Sequence, residues 1–422
     1  MATNTIIPFM PTRYLLKNIR RINNIYISWF VINLYLQIIE MKHKLYVIPF
    51  LLFSAFFCSC QTDASNTDKP RNAAADTSAN NAKGGFKVEK LYDGLNNPWG
   101  LAWLPDGRLL VTERSGEILV FKNDKYTGEK LTGVPKVFNE GQGGLLDIKL
   151  HPNYASNGWI YISYAKPVDG GATTAIMRFK LQGNELVEKK DIFQAKPFIK
   201  ADYHFGSRIV FDKNNYLYFS SGERGTQPKV QELNNDHGKI HRIFDDGRIP
   251  EDNPFANQAG ASPSIWTYGH RNPQGMVYDA ATDRIWAVEH GPKGGDELNL
   301  IQKAKNYGWP KTSYGINYDG TILTEHKEMA GVENPVRYWV PSIGPCGMAM
   351  VTSDKYPSWK GNLMIGALAF KHIARVQLSD AKYTGEEKLV QDIGRVRSVA
   401  QSPDGFIYAI TEGPGLLVKL VP

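Results

Sequence analysis

The feature that most limits what this chain can fold into is a hairpin unit that recurs six times. Each copy is an apolar alternating segment, a turn built on Pro, Asp, Gly or Asn, and a second segment rich in aromatic and β-branched residues. The copies are LAWLPDGRLLVTE from Leu101, IKLHPNYASNGWIYISY from Ile148, IVFDKNNYLYFSSGE from Ile209, MVYDAATDRIWAVE from Met276, MAMVTSDKYPSWKGNLMIGA from Met348 and VAQSPDGFIYAITE from Val399. Period-two alternation with such turns marks β-hairpins. A lone hairpin cannot bury its apolar face, so six on one chain must pack against one another. Radial packing, with further strands drawn from the intervening segments, predicts an all-β fold: a six-bladed β-propeller with four-stranded antiparallel blades. A β-sandwich array would not explain six similar hairpins. The segment from Phe86 to Leu91 is a candidate to close the ring against the last blade. The 39 Gly, 24 Pro and 12% aromatic residues agree with many turns and strands.

The repeats place one domain at residues 86–422. Upstream, Met41 to Cys60 reads MKHKLYVIPFLLFSAFFCSC, with a charged start, an apolar run and a small-residue cleavage site. It resembles a bacterial lipoprotein signal peptide over residues 41–60, with Cys60 as the lipidated residue. Residues 1–40, with an apolar stretch from Ile25 to Ile39, then read as an over-extended start, or else as a membrane anchor, and the polar residues 61–85 as a flexible linker. This predicts a periplasmic or cell-envelope protein that meets the membrane only through a lipid anchor on Cys60. The net charge of +7 sits mostly in the leader: residues 1–60 hold six basic and one acidic side chain, the remainder 43 and 41. A balanced domain lacks the footprint of nucleic-acid binding. Cys346 is the single cysteine of the domain, so no disulfide framework is expected, only a small buried side chain.

Four segments carry side chains that are costly for purely structural loops. GQGGLLDIKLHP places Gln142 between glycines that let a backbone approach a ligand. DYHFGSRIVF sets His204 before a strand. YGHRNPQGMVY holds Arg271 and Asn272 and is followed by EHGPKGGDELNLIQKAKNYGWP. GRVRSVAQSPDG puts Arg395 and Arg397 two apart, hence on one face of a strand. Glu113, Glu223, Glu289 and Glu412 fall at matching repeat positions, near the ends of second strands. Any one alone reads as a solvated strand end; together with the basic residues they suggest a polar ligand site in the channel.

GHRNPQG, the E-x-G-P-x-x-x-D-E-x-N segment and NYGWP, in this order and spacing, resemble the soluble quinoprotein aldose sugar and glucose dehydrogenases, over about Asn97 to Pro422. The resemblance implies a six-bladed propeller that uses pyrroloquinoline quinone (PQQ) and Ca²⁺ to oxidise aldose sugars to lactones. Hydride would leave the sugar C1 for the quinone, and a separate electron acceptor would reoxidise the cofactor. It implies His204 as general base, oriented by Glu223 where the family commonly has Asp. Arg271 would stabilise charge on the quinone oxygen. Asn272 and Gln142 would hydrogen-bond cofactor or substrate, Arg395 and Arg397 would pair the PQQ carboxylates, and Tyr318 would wall the quinone. The carbonyls of Gly291 and Pro292 would hold Ca²⁺, with a further Ca²⁺ site at Glu297 and the Tyr307 carbonyl. Where family members often place a PQQ-contacting Lys, this chain has Ala369 in GALAFKHIARV. Lys371, two residues on, is expected to share its strand face and substitute. A monomer or dimer is expected.

Two other classes use the same architecture. A Ca²⁺-dependent lactonase-type hydrolase would need a carboxylate and Asn cage, for which Glu113, Glu223 or Asn272 are the nominees. It gives no role to the Arg395/Arg397 pair or to GHRNPQG. A non-catalytic carbohydrate- or protein-binding propeller would be consistent with Ala369 and Glu223. Fold alone does not separate the three.

Overall fold

The computed structural model describes residues 85–422; the expectations for residues 1–40, 41–60 and the linker up to residue 84 lie outside the described residues. Twenty-four strands form six four-stranded antiparallel sheets. Blade I holds β2 (Pro98–Trp103), β3 (Arg108–Glu113), β4 (Glu117–Lys122) and β5 (Lys125–Lys130). Blade II holds β6 (Leu145–Leu150), β7 (Ile160–Val168), β8 (Gly171–Gln182) and β9 (Glu185–Gln194). Blade III holds β10 (Ile209–Phe211), β11 (Leu217–Ser221), β12 (Lys239–Ile243) and β13 (Ile265–Tyr268). Blade IV holds β14 (Pro273–Asp279), β15 (Arg284–Glu289), β16 (Asp296–Ile301) and β17 (Arg337–Trp339). Blade V holds β18 (Pro345–Met350), β19 (Leu363–Ala367), β20 (His372–Ser379) and β21 (Lys382–Leu389). Blade VI joins β22 (Arg395–Gln401), β23 (Ile407–Glu412) and β24 (Leu417–Val421) to β1 (Lys87–Tyr92) from the other end of the chain. The six hairpins of the sequence are the first two strands of the six blades.

The alternation has a direct use. On β3, Leu109 and Val111 pack against Tyr408, Ile410 and Leu417 of blade VI, while Leu110 between them packs against Ile148, Ile160 and Phe179 of blade II. Each blade is thus apolar on both faces, and one hydrophobic cluster fills each of the six gaps between neighbouring blades. A side chain such as Leu110, fully removed from water, contributes about 1.5–3 kcal/mol. The outermost strands lose the pattern: β5 reads KYTGEK and is mostly exposed. β1 pairs with β24 from Lys87 opposite Val421, so the N-terminal strand closes the ring. Cys346, in β18, is fully buried and free.

Two features position the site. First, β2, β6, β14, β18 and β22 each carry a register shift close to their N-terminal ends. Such bulges bend a strand and re-aim its side chains. Second, the axial space is divided. Arg208 pairs with Asp147 at 2.8 Å and lies 4.0 Å over the Trp99 ring. A chamber of about 550 Å³ on one side is lined by Asp147, Lys149, Arg208 and Tyr278. A smaller one of about 320 Å³, lined by Trp99, lies at the bulged strand ends.

Candidate active site

His204 sits on the loop between β9 and β10, in the left-handed region at φ 56°. A non-glycine residue adopts that conformation only where its surroundings impose it. Here the His204 N–H donates to Gln142 Oε1 at 3.0 Å, and the Gln142 N–H donates back to Asp202 O at 2.7 Å. Gly222 is required behind it, since a Cβ there would collide with the His204 carbonyl. The His204 ring turns Nδ1 to Glu223 Oε1 at 2.5 Å. Glu223 is 1% exposed, and its Oε2 has no partner. Burial, above all, lowers the His204 pKa; the bond to Glu223 opposes this and the Arg271 charge adds to it. The imidazole is therefore neutral at pH 7. With Nδ1–H given to Glu223, Nε2 carries the lone pair and makes no hydrogen bond among the described residues.

Blade IV supplies the next layer. Asn272 accepts the Gly206 N–H at 3.0 Å, which ties it to the His204 loop, and its Nδ2 is buried without a partner. The Arg271 N–H donates to Glu289 Oε2 at 2.7 Å. Arg271 Nη1 donates to Gly291 O at 2.7 Å, and its buried Nε is likewise unpartnered. Glu289 also takes Nδ1 of His270 at 2.8 Å. The Gly291–Pro292 turn is pinned by Asp296, whose Oδ1 accepts the Gly291 N–H and whose Oδ2 accepts the Gly344 N–H, each at 2.8 Å.

Gln142, Gly291, Pro292, Tyr318, Arg395 and Arg397 all line the 320 Å³ cavity. His204, Glu223, Arg271 and Asn272 stand one step behind that lining, joined to it through Gln142 and Gly291. Both arginines of β22 reach one carboxylate: Arg397 Nε meets Glu412 Oε1 at 2.8 Å and Arg395 Nε meets Oε2 at 3.4 Å. Arg397 Nη1 also donates to Gln274 Oε1 at 2.7 Å. Burial alone would raise the Glu412 carboxyl, but Arg397 and Arg395 outweigh it and leave its pKa lowered. Tyr318 is 72% exposed at the cavity wall.

Lys371 requires a correction. β19 ends at Ala367, and Phe370 and Lys371 form a turn in which both residues are left-handed. Lys371 is exposed and off the lining, whereas Leu368 and Ala369 are on it. Two-residue spacing shares a face only on a strand, and this segment is not one.

The second proposed metal site is built apart from the cavity lining. Glu297 lies directly across the β15–β16 ladder from Glu289. Burial, then that facing carboxylate, push its pKa up to about 8. Asn299 donates to both carboxylates at 3.1 Å, and its own Oδ1 is buried without a partner. Tyr307 borders the same group through its ring, stacked 4.6 Å from His270. Crowded, under-compensated oxygens are the donor set of a hard cation. Of the residues nominated for a lactonase cage, Glu113 takes the Asn96 N–H at 2.6 Å and Glu223 holds His204. Among the described residues no group of three or more His, Cys, Asp or Glu side chains is placed to hold a metal ion by itself.

Three lining residues escape sequence reasoning. Arg114 holds the Gln142 loop, donating to Gly143 O at 2.7 Å and to Gly141 O. His290 lines the floor; burial and the Arg397 and Arg271 charges push its pKa down to about 3, and its Nε2 has no partner. Trp99 forms the wall backed by Arg208. His290 belongs to the segment EHGPKGGDELNL, and Arg114 directly follows the repeat residue Glu113. Those positions were the available signals.

The donor set suits a planar polyanion: three guanidiniums line one cavity, and unpartnered N–H groups of Arg271 and Asn272 lie behind it. A family model for glucose/sorbosone dehydrogenase matches residues 95–419. Aldose sugar dehydrogenase YliI of Escherichia coli (strain K12) is 42% identical over 343 residues, 79% of this chain and 92% of that protein. The apo-form crystal structure of the soluble aldose sugar dehydrogenase from Escherichia coli gives a TM-score of 0.77 at 40% identity, covering 80% of this chain and 99% of the other. The PQQ-bound form of aldose sugar dehydrogenase from Streptomyces coelicolor gives 0.66 at 28% identity, covering 80% and 98%.

Proposed function

The chain belongs to the glucose/sorbosone dehydrogenase family, and on that premise we propose that it oxidises aldose sugars at C1 to lactones, using PQQ and Ca²⁺, with His204 as general base. The observation that carries this reading is the state of His204: a neutral imidazole held through Nδ1 by Glu223, its Nε2 without a protein partner. PQQ, when bound, supplies an ortho-quinone that accepts hydride, and Ca²⁺ polarises it. His204 Nε2 takes the proton of the C1 hydroxyl, and Glu223 stabilises the imidazolium that results. Arg271 Nε and Asn272 Nδ2 are the buried donors open to a carbonyl oxygen. Arg395 and Arg397 hold carboxylates, with Arg114 in place of the missing lysine charge at Ala369. The Gly291 and Pro292 carbonyls would hold Ca²⁺, and Glu297 with the Tyr307 carbonyl would hold a second ion. A separate acceptor takes the electrons, and the domain works as a monomer or dimer tethered in the cell envelope by a lipid on Cys60. The test is to combine residues 61–422 with PQQ and Ca²⁺ and to follow cofactor reduction by aldoses in a single turnover. Reduction is expected; failure to bind PQQ would overturn the reading.

A further inference from the structure

Arg224 follows Glu223 directly, in the segment SSGERG between β11 and β12. Its side chain is 1% exposed. Nε donates to Tyr203 O at 2.9 Å, Nη1 to Ala172 O at 3.1 Å, and Nη2 to Ala201 O. The guanidinium carbon lies 3.6 Å above the Phe205 ring. Among the described residues no carboxylate comes within ion-pair distance of it. Burial pushes its pKa down to about 10, so it stays charged at pH 7. Asp202 and Glu223 favour its charge from a distance, but a buried cation without a direct ion pair is still costly and calls for a use.

The contacts bracket His204. Tyr203 precedes it, Phe205 follows it, and Ala201 begins the same turn, while Ala172 belongs to β8 of the neighbouring blade. We infer that Arg224 is a positioning residue for the general base: its guanidinium fixes the backbone of the His204 loop against blade II, while the adjacent Glu223 fixes the ring. One dipeptide thereby sets both the left-handed backbone of His204 and the direction of its Nδ1. Arginine suits the task because its planar fork reaches three diverging carbonyls, which a lysine ammonium does not. The charge has a second effect. The ionisable groups around His204 are Glu223 and Arg224 after β11, Arg271 before β14, His290 after β15, and Asp202 and Tyr203 on its own loop. Of these, Arg224 and Arg271 both oppose protonation of the ring.

The inference rests on His204 being the base, and its test separates the two. Arg224→Lys and Arg224→Met are compared with the parent in kcat, KM, PQQ affinity and the NMR titration of the His204 ring in cofactor-free protein, assigned with His204→Gln. Both variants should lose about 10- to 100-fold in kcat, with KM and PQQ affinity nearly unchanged. Arg224→Met should titrate His204 at higher pH than the parent, and Arg224→Lys close to the parent. Should Arg224→Met fail to fold, Arg224→Lys decides: native melting with undiminished kcat overturns the inference. Loss confined to PQQ affinity also overturns it. If no aldose is oxidised, the reading of His204 fails, and the titration still reports whether Arg224 governs that ring.

Discussion

Blades III and IV carry the same pair of side chains at the same spacing. His204 and Glu223 lie nineteen residues apart and meet at 2.5 Å; His270 and Glu289, again nineteen apart, meet at 2.8 Å. In each, the histidine precedes the innermost strand and the glutamate stands at or just past the end of the second. Their surroundings then diverge. His270 is fully buried, with Nε2 on Thr267 Oγ1 at 2.9 Å and its ring stacked on Tyr307. Glu289 is saturated by His270, the Arg271 N–H and Asn299. Among the described residues His204 Nε2 meets no partner and Glu223 keeps one oxygen unpartnered. The pair is a product of the repeat. What sets one copy apart, and suits it to the proposed role of base, is the hydrogen-bonding capacity left unused.

The comparison breaks first at the histidines. His204→Gln should lower kcat by about 10²–10⁴ while PQQ still binds. His270→Gln should leave kcat within a few-fold and lower the melting temperature, because it strips a buried carboxylate of a partner. Steady-state kinetics beside thermal melts decide it; equal losses of kcat would erase the distinction.

The glutamates come next. Glu223→Gln should cost about 10- to 100-fold in kcat through misorientation and should also move the pH profile. The base form of His204 is present above its lowered pKa and lost as pH falls through it, so the acid limb of kcat/KM should lie below the ordinary histidine value. Glu223 holds that pKa up against burial. Its removal should carry the limb to still lower pH, measurable across pH 4–7. Glu289→Gln should instead appear as a loss of stability.

Arg397 and Arg395 offer the same contrast of satisfied against open groups. Arg397 is buried between Glu412 and Gln274, whereas the Arg395 side chain is 48% exposed. Titration of the variants with PQQ should show about a 10²-fold loss for Arg397→Met and a several-fold loss for Arg395→Met. The smallest effect belongs to Thr267→Val, which uncaps His270. About 1 kcal/mol of stability should go, seen as a small drop in melting temperature with kcat unchanged.

The architecture was legible because each hairpin announces itself locally, through alternation and turn residues such as Asp106-Gly107 and Asn214-Asn215. The segments that gather at the cavity stood out by composition, whereas the roles of their residues came from the family resemblance and not from local pattern. Arg114, Arg224 and His290 were not legible, since their work is done on carbonyls or by charge across distant loops, and no spacing encodes a clamp onto Ala172 from residue 224. Lys371 failed for a related reason. The two-residue spacing from Ala369 implies a strand through Phe370 and Lys371, and neither residue type signals the left-handed turn they form. The Glu–His pairs lie between these cases: both glutamates fall at repeat positions and the family resemblance pairs His204 with Glu223, but nothing in the sequence marks His270 as the partner of Glu289.

Lys87 lying opposite Val421 means that the two ends of the domain are next-door neighbours and the ring has no structural beginning. Joining residue 422 to residue 86 by a short glycine linker, and reopening the chain at the exposed Asp169–Gly170 turn, would encode the same twenty-four strands with the same partners. The order of the gene and the order of the blades are then independent variables. Such a circular permutant would carry its site unchanged, because every contact at His204 is fixed by which blades adjoin and none by which is translated first.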